Sequence, residues 1–296
     1  MLMRRWVLGI LAIIVVAGVG LAVWMLRPVE GAPRDVTLVG DATRGAYLIR
    51  LGGCVACHTD AANGRAMLAG GPALPTPFGT FYAPNITPDP EAGIGRWTLA
   101  QFAKAMSDGE GPQGHLYPAF PYESYTLMSD QEIADLYAAL KEIPADPTPS
   151  KPHEVAFPFN IRLALAGWKN LFFQPTRYVP DPGKSEQWNR GRYLAFGPGH
   201  CVTCHSPRNL LGGIDAGQEL AGNAAGGPGG RAPSLLPAAL AEDGYDAATL
   251  AQTLSDGFTL NFDILGGPMG EVIKEGTSQW TAEDREAVAA YLTGVE

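Results

Sequence analysis

The sequence predicts an all-α protein: one N-terminal membrane-spanning helix followed by two tandem copies of one small helical domain. The expected boundaries are residues 1–30 for the anchor, 35–144 for copy one, 145–185 for a connector and 186–296 for copy two. Three observations carry this. An uncharged apolar run opens the chain, two Cys-x-x-Cys-His runs stand in matching frames, and no long stretch alternates apolar with polar residues.

The apolar run is Trp6 to Leu26, 21 residues without a charge. As a helix it would reach about 32 Å, against about 30 Å of bilayer hydrocarbon. Arg4 and Arg5 precede it, which keeps the N-terminus in the cytoplasm and sends the rest across. Trp6 and Trp24 lie near its two ends, where indoles favour the interface. The alternative is a cleaved signal peptide, but that needs a shorter apolar core and an Ala-x-Ala-like site. Glu30 stands two residues before Ala32, so an uncleaved anchor is expected, single-pass in the cytoplasmic (inner) membrane with the remainder in the periplasm.

The rest of the chain repeats itself. Arg44-Gly45-Ala46-Tyr47-Leu48 leads to Cys54-Val55-Ala56-Cys57-His58, and Arg190-Gly191-Arg192-Tyr193-Leu194 leads to Cys201-Val202-Thr203-Cys204-His205. Leu99-Ala100-Gln101 before Ser107-Asp108-Gly109 matches Leu250-Ala251-Gln252 before Ser255-Asp256-Gly257. A near-constant offset over separate motifs is the mark of duplication. Each copy should close with a helix. Ser129-Asp130-Gln131-Glu132 has the form of a capping box ahead of Ile133, Leu136, Tyr137 and Leu140. Thr281-Ala282-Glu283-Asp284 starts the second, with Val288, Tyr291 and Leu292 on one face. The plan per copy is helix, Cys-x-x-Cys-His motif, Gly/Pro-rich loop, short helix, loop, C-terminal helix. Between the copies, Pro144 to Pro152 reads as an extended spacer. Phe157 to Phe159 and Trp168 to Phe173 are too apolar for a free tether, and a helix packed against one or both copies is expected there.

Thirty-seven glycines and 25 prolines in 296 residues promise much loop. Net charge is −9; residues 1–30 hold three arginines against Glu30, so the remainder carries −11. That balance argues against a nucleic-acid partner and fits a neutral or basic protein.

All four cysteines lie in the two motifs. Two thiols three residues apart on one helical turn can both reach the vinyl groups of one haem, and the next residue then offers its imidazole to the iron. Haem attachment by Cys54, Cys57, Cys201 and Cys204, with His58 and His205 as axial iron ligands, follows, giving two covalently bound haem c. A zinc site would want its ligands close together, whereas Cys57 and Cys201 are 144 residues apart. A thioredoxin-like pair needs neither the His nor a second copy.

The sixth iron ligand separates electron transfer from catalysis. Beyond His205 the one remaining Met, His or Cys is Met269, after Gly266-Gly267-Pro268, and it is the expected ligand of the second haem. In copy one the equivalent position falls near residue 121, where Phe120 and Pro121 cannot ligate. Met128 is expected by elimination, 70 residues after His58. His115 is the rival, an open iron is the third option, and Met128 could instead be a hydrophobic staple on Ile133. Met106 is read as core.

With these residues assembled, the sequence resembles the diheme cytochrome c family. It is also similar to the three-haem cytochrome subunits of bacterial membrane-bound alcohol and aldehyde dehydrogenases. The segments that carry this are Thr76-Pro77-Phe78-Gly79-Thr80, Asn85-Ile86-Thr87-Pro88-Asp89, Gly93-Ile94-Gly95-Arg96-Trp97, Tyr117-Pro118-Ala119-Phe120-Pro121-Tyr122 and Cys204-His205-Ser206-Pro207-Arg208-Asn209. The resemblance implies class I cytochrome c folds and an electron-accepting subunit. Two departures stand out: two haem motifs rather than three, and Phe120 where the alcohol dehydrogenase subunits often carry Met. The expected function is electron transfer from a periplasmic dehydrogenase to a quinone, a soluble cytochrome or a terminal oxidase, without substrate chemistry. The competing reading is a diheme peroxidase or thiosulfate dehydrogenase, with Glu110, His115 and Glu123 as candidate distal groups. A third reading, a membrane anchor for a partner, is compatible with the first.

Overall fold

The computed structural model of the chain describes residues 2–227 and 230–295. Helix α1 (Leu2–Leu26) projects away from the rest except at its last turn, with every residue from Met3 to Val23 exposed. It is long and apolar enough to cross a membrane.

Copy one opens with α2 (Ala42–Leu51), started by the Asp41 carboxylate accepting from the Arg44 amide. The short α3 (Cys54–His58) follows from Gly53, whose φ of +63° no branched residue takes without strain. Strands β1 (Ala73–Thr76) and β2 (Gly79–Tyr82) form a hairpin. Helix α4 (Leu99–Asp108) begins on a reciprocal Thr98–Gln101 box and stops on left-handed Gly109. Strands β3 (Glu110–Gly111) and β4 (Gly114–His115) pair next, then come the single turn α5 (Tyr122–Tyr125) and α6 (Asp130–Glu142), capped by Ser129 and Glu132 as the sequence indicates. In the connector, β5 (Glu154–Val155) pairs with β2, and α7 (Ala164–Phe172) lies against both copies. Copy two repeats the plan: α8 (Glu186–Phe196), α9 (Cys201–Cys204), strands β6 (Asn223–Gly227) and β7 (Gly230–Ala232), α10 (Pro237–Glu242), α11 (Ala247–Asp256), α12 (Gly267–Glu275) and α13 (Ala282–Thr293).

Two expectations need correction. The chain is helix-rich but not all-α, since three small sheets of two-to-five-residue strands are present. Strands that short give no readable alternation. Residues 267–275 are a helix rather than a loop. Gly267-Pro268 reads as a breaker, yet Pro is favoured in a first turn, where its missing N–H costs nothing. The spacer 145–152 is extended but tied down. Asn85 Nδ2 donates to the carbonyls of Asp146 and Thr148 at 2.8 and 2.9 Å.

The two copies share one construction. In each, the first and last helices cross at a glycine. A Cβ on Gly45 would stand 1.9 Å from the Asp135 carbonyl oxygen, and one on Gly191 would stand 2.0 Å from that of Ala287. An arginine one residue before each glycine grips an acid on the last helix, Arg44 to Asp135 and Arg190 to Asp284, both at 2.7 Å. Leu68 and Leu220 take the same left-handed backbone, with φ of +63° and +64°. One apolar cluster runs through both copies, from Leu48 and Met128 to Trp280 and Leu292.

The junction between the copies is reciprocal. Tyr47 of α2 donates to the Asp284 carboxylate at 2.6 Å, and its counterpart Tyr193 of α8 donates to Glu132 at 2.7 Å. Each acid is the third residue past the cap of its last helix. The pattern is that of an approximate two-fold axis, in which the same patch serves both partners.

Candidate haem-attachment sites

In both motifs the helical turn puts the two thiols on one side and the histidine at its end. His58 Nδ1 lies 2.7 Å from the Pro84 carbonyl oxygen, and His205 Nδ1 lies 2.8 Å from that of Pro233. A carbonyl accepts only, so Nδ1 carries the proton and Nε2 offers its lone pair. Burial pulls both imidazoles below their usual range, partly offset by these hydrogen bonds, so both are neutral and basic at the free nitrogen. Such a bond on the far nitrogen is what orients an iron-binding imidazole.

The thiols sit in an apolar setting. Burial pushes Cys54 and Cys201 up to about 12 and Cys57 up to about 11, and Cys204 moves the same way. A zinc site would ask for thiolates and further ligands nearby. Among the described residues no three His, Cys, Asp or Glu side chains converge. Unionised thiols beside a fixed imidazole suit thioether formation instead. Around the second motif three buried donors have no protein partner: Trp280 Nε1, Arg208 Nε and Asn223 Nδ2. Each adjoins the motif. Trp280 packs where a Cβ on Gly199 would be, Arg208 Nη2 donates to the Thr203 carbonyl, and Asn223 follows Gly222, whose amide donates to the His205 carbonyl. Orphaned donors in a dry site fit an anionic group, such as a haem propionate.

The candidate sixth ligands differ in setting. Met128 is 1% exposed and belongs to the apolar cluster that holds Leu51 and Val55 on either side of Cys54. Its carbonyl accepts from Arg34 at 2.6 Å. Nearby in sequence, Tyr125 donates to the Gly52 carbonyl at 2.7 Å, and the Phe120 ring meets Tyr125 at a tilt, centroids 5.3 Å apart, so the segment 120–128 runs along the first motif. His115 lies elsewhere, on β4, where its Nδ1 accepts from Lys169 Nζ at 3.2 Å. Lys169 is buried, which pulls it down to about 8, and it donates to the carbonyls of Asp108 and Gly109 at the end of α4. Met269 is half-buried near the start of α12, against the common core. Glu110 is paired with Lys104 at 3.3 Å, and burial pushes Glu123 up to about 7, with the Arg208 charge of copy two opposing.

One residue at the meeting point of the motifs escapes a reading of the sequence. His200 directly precedes Cys201 and is the counterpart of Gly53. Its Nε2 lies 3.4 Å from where a Cβ on Gly53 would be, and its ring meets Tyr125 edge-on at 5.7 Å. The two motifs therefore start back to back at the junction of the copies. The only signal for this is the odd histidine beside a motif, which has no local meaning.

No family profile matches the chain. Individual relatives do. "Diheme cytochrome c-type" of Cereibacter sphaeroides is 43% identical over 298 residues, 99% of each chain. The cytochrome c subunit of the quinone alcohol dehydrogenase of Gluconacetobacter polyoxogenes is 38% identical over 84% of this chain and 54% of its own length. The fructose dehydrogenase cytochrome subunit of Gluconobacter japonicus is 38% identical over 86% of this chain and 52% of its own length. With a relative matched end to end at 43% identity, and with both Cys-x-x-Cys-His turns built alike, the chain belongs to the diheme cytochrome c family.

Proposed function

We propose that the chain is a membrane-anchored electron carrier, the cytochrome subunit of a dehydrogenase complex on the periplasmic face of the cytoplasmic membrane. It binds two covalently attached haem c groups, through Cys54 and Cys57 in copy one and Cys201 and Cys204 in copy two. The observation that carries the reading is the pair of histidines, each with Nδ1 tied to a proline carbonyl and Nε2 free beside two protonated thiols. When bound, the groups supply reversible one-electron chemistry. The protein's part is to fix the axial imidazoles, keep water out with the common core, and bring the two attachment turns together at the His200–Gly53 contact.

The proposed units are two class I cytochrome c domains, residues 35–144 and 186–296, joined by 145–185. Met128 and Met269 complete the two iron sites. The burial of Met128 beside the first motif supports its choice over His115, which is engaged by Lys169. Tied-up acids and bases, Glu110 by Lys104 and His115 by Lys169, favour a carrier over a peroxidase or thiosulfate dehydrogenase. The relatives named for dehydrogenases favour such a donor, with a quinone, a soluble cytochrome or an oxidase as acceptor. Acid–acetone extraction should leave the colour on the protein, and intact mass should exceed the bare chain by two haems; one haem, or zinc, would refute the assignment. The purified chain should reduce at both haems, bind no carbon monoxide and turn over neither peroxide nor thiosulfate rapidly. Rapid turnover would establish the enzyme reading instead. Protease added to spheroplasts should digest residues 30–296 and spare α1.

A further inference from the structure

Several of the chain's exposed apolar side chains gather on one ledge. Helix α7 turns Leu165, Ala166, Lys169 and Phe173 at its end into the protein. A surface helix normally presents charge on the opposite side. Here the opposite side is Ala164, Trp168 and Leu171, and Leu163 just before it is 60% exposed. The ledge extends by direct contact. Trp168 Nε1 donates to the Leu211 carbonyl at 2.9 Å, beside Leu210, which is 97% exposed. Gly212 seats against the Phe78 ring, and Phe78 meets Phe159 edge-on at 5.0 Å. Phe157 next to it is 77% exposed.

The same helix grips the end of α1. A Cβ on Gly167 would stand 2.4 Å from Met25 Cε, so the Met25 side chain lies directly on α7 at that glycine. Asn170 accepts from Arg27 Nε at 2.8 Å and donates to the carbonyls of Met25 and Arg27. The ledge therefore begins where α1 leaves the rest of the protein. Charge agrees with this placement. Residues 157–173 carry no acid and expose Arg162, in a chain of net charge −9. Arg27 and Arg162 are exposed at its margin.

We propose that this ledge is a second membrane contact. Residues 157–171 and the 210–211 loop lie in the headgroup layer of an anionic bilayer, beside the point where α1 emerges. Their apolar side chains reach the upper acyl region, and Arg27 and Arg162 meet lipid phosphates. The proposal rests on α1 being a membrane anchor. It adds that the soluble part is held in one orientation on the surface rather than swinging on a stalk.

The test uses the full-length haem-loaded chain in nanodiscs of phosphatidylglycerol and phosphatidylcholine, with a photoreactive diazirine in the acyl chains. Adducts mapped by mass spectrometry are expected on α1 and on the peptides holding Phe159, Leu210 and Leu211. A Leu210→Glu/Leu211→Glu variant should lose ledge adducts several-fold and keep those on α1. Arg162→Gln should weaken ledge labelling in phosphatidylglycerol only. Adducts on α1 with none on the ledge would overturn the proposal and leave the anchor standing. Adducts on the ledge with none on α1 would overturn the anchor and, with it, the proposal. Chain-to-chain crosslinks at the ledge in place of lipid adducts would assign it to a second copy of the protein and overturn the proposal.

Discussion

Residues 42–142 and 186–293 build the same helix crossing by the same means and then diverge between the motif and the last helix. In copy one that interval ends in a single turn, α5, and a methionine sunk in the core immediately before the cap of α6. In copy two it holds a nine-residue helix, α12, with Met269 near its start, and Trp280 takes the place before the cap of α13. The frame tolerates one geometry only, because backbones meet at Gly45 and Gly191. The interval that holds Met128 in copy one and Met269 in copy two has no such glycine crossing, and its secondary structure differs between the copies.

The largest expected effects fall on the ligands. Met269→His should lower the potential of the second haem by about 59 mV or more, a tenfold change in a one-electron equilibrium, because the thioether that raises it is gone. Met128→Ala should leave the first haem without its low-spin six-coordinate signature in magnetic circular dichroism, while His115→Ala leaves that signature unchanged. The reverse result would make the first haem bis-histidine and the copies less alike still.

Smaller effects should fall on the shared frame. Gly45→Ala and Gly191→Ala each force a methyl group into a carbonyl, and each should cost about 1–3 kcal/mol as overpacking, read as a fall in thermal midpoint. Because one core runs through both copies, each variant should shift a single transition. Two separated transitions would show that the copies unfold independently.

The smallest effect is on acid stability. Burial pushes the Asp135 and Asp284 carboxyls up, but hydrogen bonds outweigh it and hold both below the usual range. The donors are Arg44, the Asp41 amide and Gln131 for Asp135, and Arg190 and Tyr47 for Asp284. Folded values below the unfolded one stabilise above about pH 4, and that contribution fades as pH falls through the folded values. Asp284→Asn should flatten this acid limb and also loosen Tyr47, costing about 1–3 kcal/mol at neutral pH. Asp135→Asn, which has no cross-copy tyrosine, should cost less in chemical denaturation. Equal costs would mean that the Tyr47 bond contributes nothing to docking.

Much of this is legible in the sequence because the signals are local. The boxes at Ser129–Glu132, the Ser-Asp-Gly helix ends and the two motifs each speak within five residues. What stays hidden depends on distance or on brevity. Tyr47 and Asp284 are 237 residues apart, so nothing in either neighbourhood announces the bond. The same holds for Lys169 capping α4 from the connector. The hairpin β3–β4 has two residues per strand, too few for a pattern. Helix α12 is hidden for a different reason: its opening Gly-Pro reads as a stop, when a proline there is a start.

The contact of His200 with Gly53 has a consequence for how the halves recognise each other. Equivalent positions meet across the approximate axis, and one carries an imidazole while the other carries no side chain at all. Copy one paired with another copy one would set glycine against glycine and leave a hole. Copy two paired with itself would drive two imidazoles into the same space. The unlike pair, an imidazole against a bare backbone, lets the two motifs approach at the junction without a collision.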